Sequence, residues 1–471
     1  MNEHQSSNIT ADYTSRPSIQ SEIAELRALF PAQVVAPGDA QYDEARAVIV
    51  DVADSQPAAV VRPTSADEVA QVINFARVHG FDIAVRSGGH SGAGHGTVDS
   101  GIVIDLRGLA TISVDPQAQT VWAGGGALVG AVLRAAAEHG LVVPFGDAAT
   151  VGVGGITTGG GVGYLSRLHG LTIDNLLAAE VVLADGRIVL TDANKEPELF
   201  WAIRGGGGNF GVVTRFLFQA TPLAEVTGGM LVIPADAATI AAFVRAAQDA
   251  PETLGVIANV MPAFPAPFIP EARRGRPMIL ANMAFAGPAD EADKVLAPFR
   301  ALAKPFLDTL KRGPYLALYP DEEVPRPGTP EQATMFVNDI DQAAGQTIID
   351  FVNNSDSVIR LVQIRVLGGA VNRVPADATA YAHRQSPIML YMVNFWTNPS
   401  ERGKRQQWLA DLRAALHQGD DGVYANFLGD ASPDQVRAAY PGDTWKRLRQ
   451  LKRRYDPSNA FRRNHNIPPA E

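Results

Sequence analysis

His90 ends the run Arg86-Ser87-Gly88-Gly89-His90, and that order suits chemistry on a flat or charged ligand. Two adjacent residues without a Cβ let the main chain approach a ligand closely and take dihedral angles that other residues avoid. The imidazole that follows is a nucleophile near neutral pH. Taken alone, the run also describes a tight loop with a hydrogen-bonded histidine, so its surroundings must decide. A second concentration, Gly152 to Gly163, holds seven glycines in twelve positions and several GxGxxG-like registers. That pattern suggests a Rossmann fold, but a Rossmann fingerprint belongs on the first strand-to-helix turn of a parallel sheet. Here the glycines follow a helix and strand, Leu128 to Val143, well inside the chain. Gly205 to Gly208 is a third cluster, where Trp201 and Phe210 favour a packed turn over a flexible surface loop.

Polar side chains gather on a predicted strand pair, Val362 to Gly368 and Met389 to Phe395. Gln363 and Arg365 alternate with Val362, Ile364 and Val366, so they share one face. Tyr391 and Asn394 have opposite parity, so only one of them faces the same way. Gln363, Tyr391 and Asn394 are the catalytic candidates, and ordinary polar decoration of a sheet is the competing account. Tyr391 comes first, because a phenol acts as acid or base when its pKa is lowered. Asp147 reads either as a ligand contact or as a helix cap. His90 and His95 make a poor metal pair, since no third ligand converges on them; His169, in the RLHGL turn, reads as structural.

The elements that must position these groups are legible nearby. An apolar strand, Ala58 to Val61, leads to a helix opened by Ser65 with Glu68 three residues on and closed by Gly80. A short strand, Ile83 to Val85, then delivers Gly88 and Gly89. Beyond the proline-bearing step after Phe218 the pattern changes to helices alternating with strands, beginning with a strand at Gly229 to Ile233 and a helix over about Ala235 to Gln248. The proline-rich stretch Pro262 to Pro277 is either a connector or the rim of a cleft. At 471 residues, 46% apolar and 19% charged, the chain can bury more than one core. A net charge of -10, without a Lys/Arg run interleaved with aromatics, argues against nucleic acid. The first twenty residues are polar, with Glu3 and Asp12 and no apolar core, and the apolar stretch Leu176 to Ala184 is short and carries Glu180, so neither a secretory signal nor a membrane span is expected. Zero cysteines exclude disulfides and thiolate chemistry and fit a cytoplasmic enzyme.

From about Pro57 to Pro222 the chain resembles the FAD domain of the p-cresol-methylhydroxylase and vanillyl-alcohol-oxidase superfamily, most of all its berberine-bridge-enzyme-like branch. The matching segments are VRPTSADEV at 61 to 69, AVRSGGHSGAGHG at 84 to 96, GIVIDLRGL at 101 to 109, TVGVGGITTGGGVGYLSRLHGLTIDNL at 150 to 176, ADGRIV at 184 to 189, ELFWAIRGGGGNFGVVT at 198 to 214 and RRYDPSNAFRRNHNIPP at 453 to 469. The resemblance implies an α+β flavoprotein. A bipartite FAD-binding domain, residues 1–222 with its core at about 53–222, is completed by residues 441–471, and a substrate domain, 223–440, has an antiparallel sheet backed by helices. It implies FAD bonded covalently through its 8α-methyl to His90, with Arg86, Ser87, Gly88, Gly89, Ser91, His95, Gly146, Asp147, Val151, Gly152, Gly155, Gly159, Gly160, Gly163, Ile173, Val212, Tyr424, Asn426, Asn464 and Asn466 around it. In this reading the 152–163 glycines cradle the pyrophosphate with main-chain N–H groups.

Two departures matter. Doubly tethered relatives carry a cysteine where this chain has Ala148, so a cysteinyl bond is impossible here and the singly tethered branch is implied. Many relatives also have a base-forming tyrosine at the place of Phe427, which cannot take a proton; Tyr424, three residues earlier, is expected to face the opposite side of a strand. The implied activity is an oxidase that passes hydride from a small alcohol, amine or secondary metabolite to FAD, with dioxygen as the second substrate and hydrogen peroxide as product. An oxygenase, a carbohydrate oxidase, a silent flavin carrier and an NAD-dependent dehydrogenase are the alternatives. Neither the substrate nor an oligomeric state is written in these motifs.

Overall fold

A computed structural model describes residues 17–50, 54–320 and 328–471. Glu3 and Asp12, and the expected start of the core at 53, lie outside them. The fold is α+β. In the first part, strands Ala59–Val61, Ile102–Asp105 and Ile83–Arg86 run parallel, with Val34–Val35 antiparallel at the edge. The crossover between Ala59–Val61 and Ile83–Arg86 is helix Ala66–His79, which buries Val69, Val72, Ile73 and Ala76 against the sheet. Its start is capped as the sequence predicts: Ser65 Oγ accepts from the Glu68 N–H at 3.2 Å. The Glu68 carboxylate reaches one residue further back than a capping box requires, to the Thr64 N–H at 2.6 Å. Gly80 ends the helix with φ 73°.

A second, antiparallel sheet of five strands follows, in the order Ile112–Asp115, Thr120–Gly124, Val212–Gln219, Leu176–Val182, Ile188–Asp192. An eight-stranded sheet then dominates the second part. Its central members lie in the order Glu225–Pro234, Pro277–Phe285, Leu254–Pro262, Arg360–Val366, Ile388–Trp396, Thr329–Val337, all antiparallel to their neighbours. Side chains alternate between its faces. Val256, Ala258, Val260, Val362, Ile364, Ile388, Leu390 and Met392 pack under helices Ala237–Asp249, Ala292–Arg300, Gln342–Asn354 and Arg402–Leu416. On the opposite face, Asn259, Met261, Leu280, Asn282, Leu361, Gln363, Tyr391 and Gln332 are only half-buried. A sheet fully covered on one side and incompletely covered on the other leaves a cleft on the second.

The proline-rich stretch joins two adjacent strands and folds back over this open face, where Ala263, Ala266 and Ile269 pack on Val232 and Met278. At the other end, helix Asp443–Tyr455 lies against helix Pro197–Ile203, with Arg447 paired to Glu198 at 2.8 and 3.1 Å and its guanidinium 3.9 Å from the Trp201 ring centroid. No helix among the described residues is long and apolar enough to cross a membrane.

Candidate active site

The turn that carries His90 is built by two stretches of main chain crossing without side chains between them. A Cβ on Gly88 would lie 2.3 Å from the Gly152 nitrogen, and a Cβ on Gly152 would lie 2.1 Å from the Gly88 nitrogen. Ser87 pins the crossing, donating to the Gly125 carbonyl at 2.6 Å and accepting from the Gly154 N–H at 3.2 Å. Beside it Gly155 is exposed, with open space around it.

Several residues expected around a cofactor are occupied by the protein itself. Arg86 is 2% exposed, and its guanidinium turns to Asp105 at 3.1 Å and to the carbonyls of Ala45 and Ala47, while its Nε is buried without a partner. Gly159, Gly160 and Gly163 are not an open cradle. Their absent side chains leave room for Asn426, Tyr424 and the Phe145 carbonyl, and the N–H groups of Gly160 and Gly163 are taken by Thr157 O and Ser166 Oγ. Ile173 is fully buried among Val162, Leu171 and Phe336, and Val212 is paired with Val182 in a buried strand; neither side chain reaches an open surface. The 205–208 cluster is a packed turn, with the Gly205 N–H on Thr158 O at 2.9 Å. Gly146 and Val151 keep their loops in place through their carbonyls, which accept from the Tyr319 hydroxyl at 2.7 Å and the Val129 N–H at 2.9 Å.

The C-terminal NHN turn closes the site from another direction. Asn464 Nδ2 donates to the carbonyls of Phe461 and Gly208 at 3.0 and 3.2 Å, while the Oδ1 atoms of Asn464 and Asn466 and the Thr157 hydroxyl are buried without a partner. The ring of His465 stands edge-on to His95 at 4.7 Å, and the His95 N–H is donated to Ser91 Oγ at 3.4 Å. Burial, then the nearness of His465 and Arg463, lowers the His95 pKa to about 3; burial lowers His465 to about 4. Both folded values lie below the unfolded value, so the unfolded chain takes up protons first. Stability from this pair is therefore complete above about pH 6.5 and is lost as pH falls toward 4, by at most about 1.4 kcal/mol per pH unit for each ring. Urea midpoints measured over that interval should fall less in a His95→Gln/His465→Gln variant than in the parent; equal slopes would refute the assignment.

Over the open sheet face lies a polar chain. Asp147 accepts from Arg365 at 2.9 Å, Arg365 Nε donates to Gln363 Oε1 at 2.8 Å, and Gln363 Nε2 donates to Asn259 Oδ1 at 2.9 Å. Asp147 is thus the partner of Arg365 and not a helix cap. Phe427 sits between the Arg365 guanidinium, 4.9 Å from its centroid, and the Tyr391 ring, at 4.4 Å. Asn394 lies on the helix-covered side, fully buried, with Nδ2 on Ser355 Oγ at 3.3 Å, whereas Tyr391, of opposite parity, is half-buried on the open face, so Asn394 is not a member of the site. The expected strand geometry around Tyr424 fails as well. Residues 425–427 form a short 3-10 helix, in which positions three apart eclipse, so Tyr424 and Phe427 lie on the same side with centroids 5.1 Å apart. The Tyr424 hydroxyl, whose pKa burial raises, accepts from the Gly161 N–H at 2.9 Å and from Asn426 Nδ2 at 3.0 Å, which makes it a clasp on the glycine segment. Sequence reasoning misses Gln332, whose Oε1 accepts from the Tyr391 hydroxyl at 2.8 Å. The alternation of Ala333, Met335 and Val337 places it on the open face, but Pro330 obscures the strand that carries it.

Residues 57–192 match a family described as FAD binding domain, and residues 423–468 one described as berberine and berberine like. The (R)-6-hydroxynicotine oxidase of Paenarthrobacter nicotinovorans is 30% identical over 93% of this chain and 96% of its own. The chain belongs to the berberine-bridge-enzyme-like family of FAD-linked oxidoreductases. An FAD-linked oxidoreductase of Bacillus subtilis is also 30% identical, over 93% of this chain and 97% of its own. Among solved structures, 6-hydroxy-D-nicotine oxidase of Arthrobacter nicotinovorans superposes with a TM-score of 0.82 at 26% identity, covering 93% of this chain and 98% of that one. Glucooligosaccharide oxidase of Acremonium strictum shares the fold, with a TM-score of 0.83 at 24% identity over 96% of this chain and 99% of that one, and its flavin is described as 6-S-cysteinyl and 8α-N1-histidyl.

The residues present fit FAD. The crossing of Gly88 and Gly152 offers main chain at close range, Gly155 opens beside it, and the unpartnered oxygens of Thr157, Asn464 and Asn466 call for donors and acceptors from a ligand. No cysteine exists anywhere in the chain to make a second bond.

Proposed function

We propose that this enzyme is an oxidase of a small organic alcohol or amine, with FAD held covalently through His90 alone, and that dioxygen is reduced to hydrogen peroxide. The reading rests above all on the placing of Tyr391: its hydroxyl bonds Gln332, whose amide lies where a Cβ on Gly92 would stand, two residues after His90. A half-buried phenol therefore faces the cleft within one turn of the tether. Bound there, FAD supplies a two-electron acceptor for a substrate hydride and a site at which dioxygen reclaims those electrons. The chain's own part is to orient the substrate's O–H or N–H at Tyr391 and Gln363, to screen the cleft with Phe427 and the 263–276 loop, and to leave Gly155 open beside the crossing for a small oxidant.

Arg365 and Asp147 neutralise one another on this face at 2.9 Å, which among the described residues leaves no free cation there for an anionic group and favours a neutral substrate. A panel of alcohols and amines is tested anaerobically for bleaching of the flavin, then in air for peroxide. Tyr391→Phe should slow turnover at least about a hundredfold, the share of barrier, roughly 3 kcal/mol, that one orienting or proton-handling group supplies, with flavin content unchanged. Normal turnover in Tyr391→Phe and Gln363→Ala would remove this assignment, and slow reoxidation in air would make the protein a dehydrogenase.

A further inference from the structure

Gln332 stands on the edge strand Thr329–Val337, opposite Val393 and diagonal to Tyr391, which pairs with Thr334. Which end of its amide faces which neighbour is decided by Leu428. A carbonyl only accepts, so the amide nitrogen must be the end that lies 3.2 Å from Leu428 O. The oxygen is thereby turned to Tyr391, and since an amide oxygen only accepts, the phenol donates to it, at 2.8 Å. A hydroxyl whose proton is engaged in this way is stabilised in its neutral form, and toward any further partner its oxygen acts as acceptor.

The turn after His90 is shaped to this arrangement. A Cβ on Gly92 would fall 2.0, 2.4 and 2.5 Å from Nε2, Cδ and Oε1 of Gln332. These atoms are the far end of a flexible side chain, so an alanine at 92 would be accommodated by swinging the amide away, with Gln332 still present but its bond to Tyr391 broken.

We propose that Gln332 is the positioning residue that holds Tyr391 as a neutral phenol presenting its oxygen to an O–H or N–H of the substrate, and that the missing side chain of Gly92 makes room for it. The inference rests on the reading of Tyr391 as the group that meets substrate. It assigns that group an accepting and orienting task in place of proton abstraction at rest, and it extends the site to Gln332, outside the matched segments, and gives Gly92, inside the 84 to 96 segment, a task other than contact with the flavin.

The test needs neither substrate nor turnover. The holoenzyme is labelled with 3-fluorotyrosine, and the fluorine resonance of residue 391 is identified by its loss in Tyr391→Phe. Gln332→Met and Gly92→Ala should each shift that resonance and bring its titration down by roughly 0.5–1 pH unit, the size of one lost hydrogen bond to the neutral form. Gln332→Glu, which keeps an acceptor in place and adds negative charge, should move the titration upward. Opposite movements are not what a merely structural disturbance gives. An unchanged resonance in Gln332→Met and Gly92→Ala would overturn the proposal; a shift in the first without the second would overturn the part given to Gly92. Should Gln332→Met not fold, Gly92→Ala carries the test, since it keeps the amide. Turnover unaffected by Tyr391→Phe would sink the functional reading, while the fluorine titrations would still decide the role of Gln332 independently.

Discussion

Precipitated in acid and digested with trypsin, the holoenzyme should carry all of its flavin on the single peptide Ser87–Arg107, and His90→Ala should release every equivalent of it. That peptide contains two histidines, His90 and His95, so the peptide alone does not decide the site. The structure separates them. His95 is packed edge-on against His465, 4.7 Å between centroids, with its N–H on Ser91, whereas His90 ends the turn pinned by Ser87 at the glycine crossing. His95→Ala should therefore keep the flavin attached. His90→Ala should still take up FAD reversibly, because Gly88, Gly152 and the NHN turn are untouched. Yellow colour left in the supernatant of the parent protein would end the single-tether account.

Lys452→Met should cost about 3–5 kcal/mol of stability, the range for removing one partner of a buried ion pair. The ammonium of Lys452 is fully buried and spends its three protons on Asp456 Oδ2 at 2.7 Å, Asn209 O at 2.7 Å and Phe461 O at 2.9 Å. Methionine of similar length would leave the Asp456 carboxylate without its cation, although the N–H groups of Ala460 and Phe461 still reach it at 2.8 and 2.9 Å. The loss should appear as a lower denaturant midpoint and as poorer flavin loading, since residues 461–467 are held in place by this knot. An unchanged midpoint would mean that the segment is secured elsewhere.

What the sequence discloses and what it conceals follow from the range of the interactions involved. Helix Ala66–His79 is bounded by local signals, a serine cap and a terminal glycine, and both act as expected. The shared face of Gln363 and Arg365 follows from the two-residue period of a strand and needs no knowledge of the partner strand. Parity also separates Tyr391 from Asn394, but only the packing of helices on one face shows which of them is buried. The relation of Tyr424 to Phe427 escapes the sequence because three residues of 3-10 helix and three of strand are indistinguishable without their hydrogen bonds. The glycine runs are the plainest limit. A glycine that faces open space and one that admits a neighbouring tyrosine look alike in sequence, and Gly155 and Gly160 are one of each kind. Gln332 stays hidden because its meaning comes from Leu428, 96 positions away.

The crossing at Gly88 and Gly152 also orders events in time. Ser87 and Gly154 are 67 positions apart, and closing so long a loop is entropically costly, so such contacts form only once the intervening chain is collapsed. Neither stretch can settle without the other, since each fills the space where the other would carry a side chain. The turn that aims His90 is consequently expected to assemble late, and with FAD bonded to His90, as proposed, attachment would become a certificate of maturation: a molecule that carries the bond would already have brought the two stretches of its cofactor domain together.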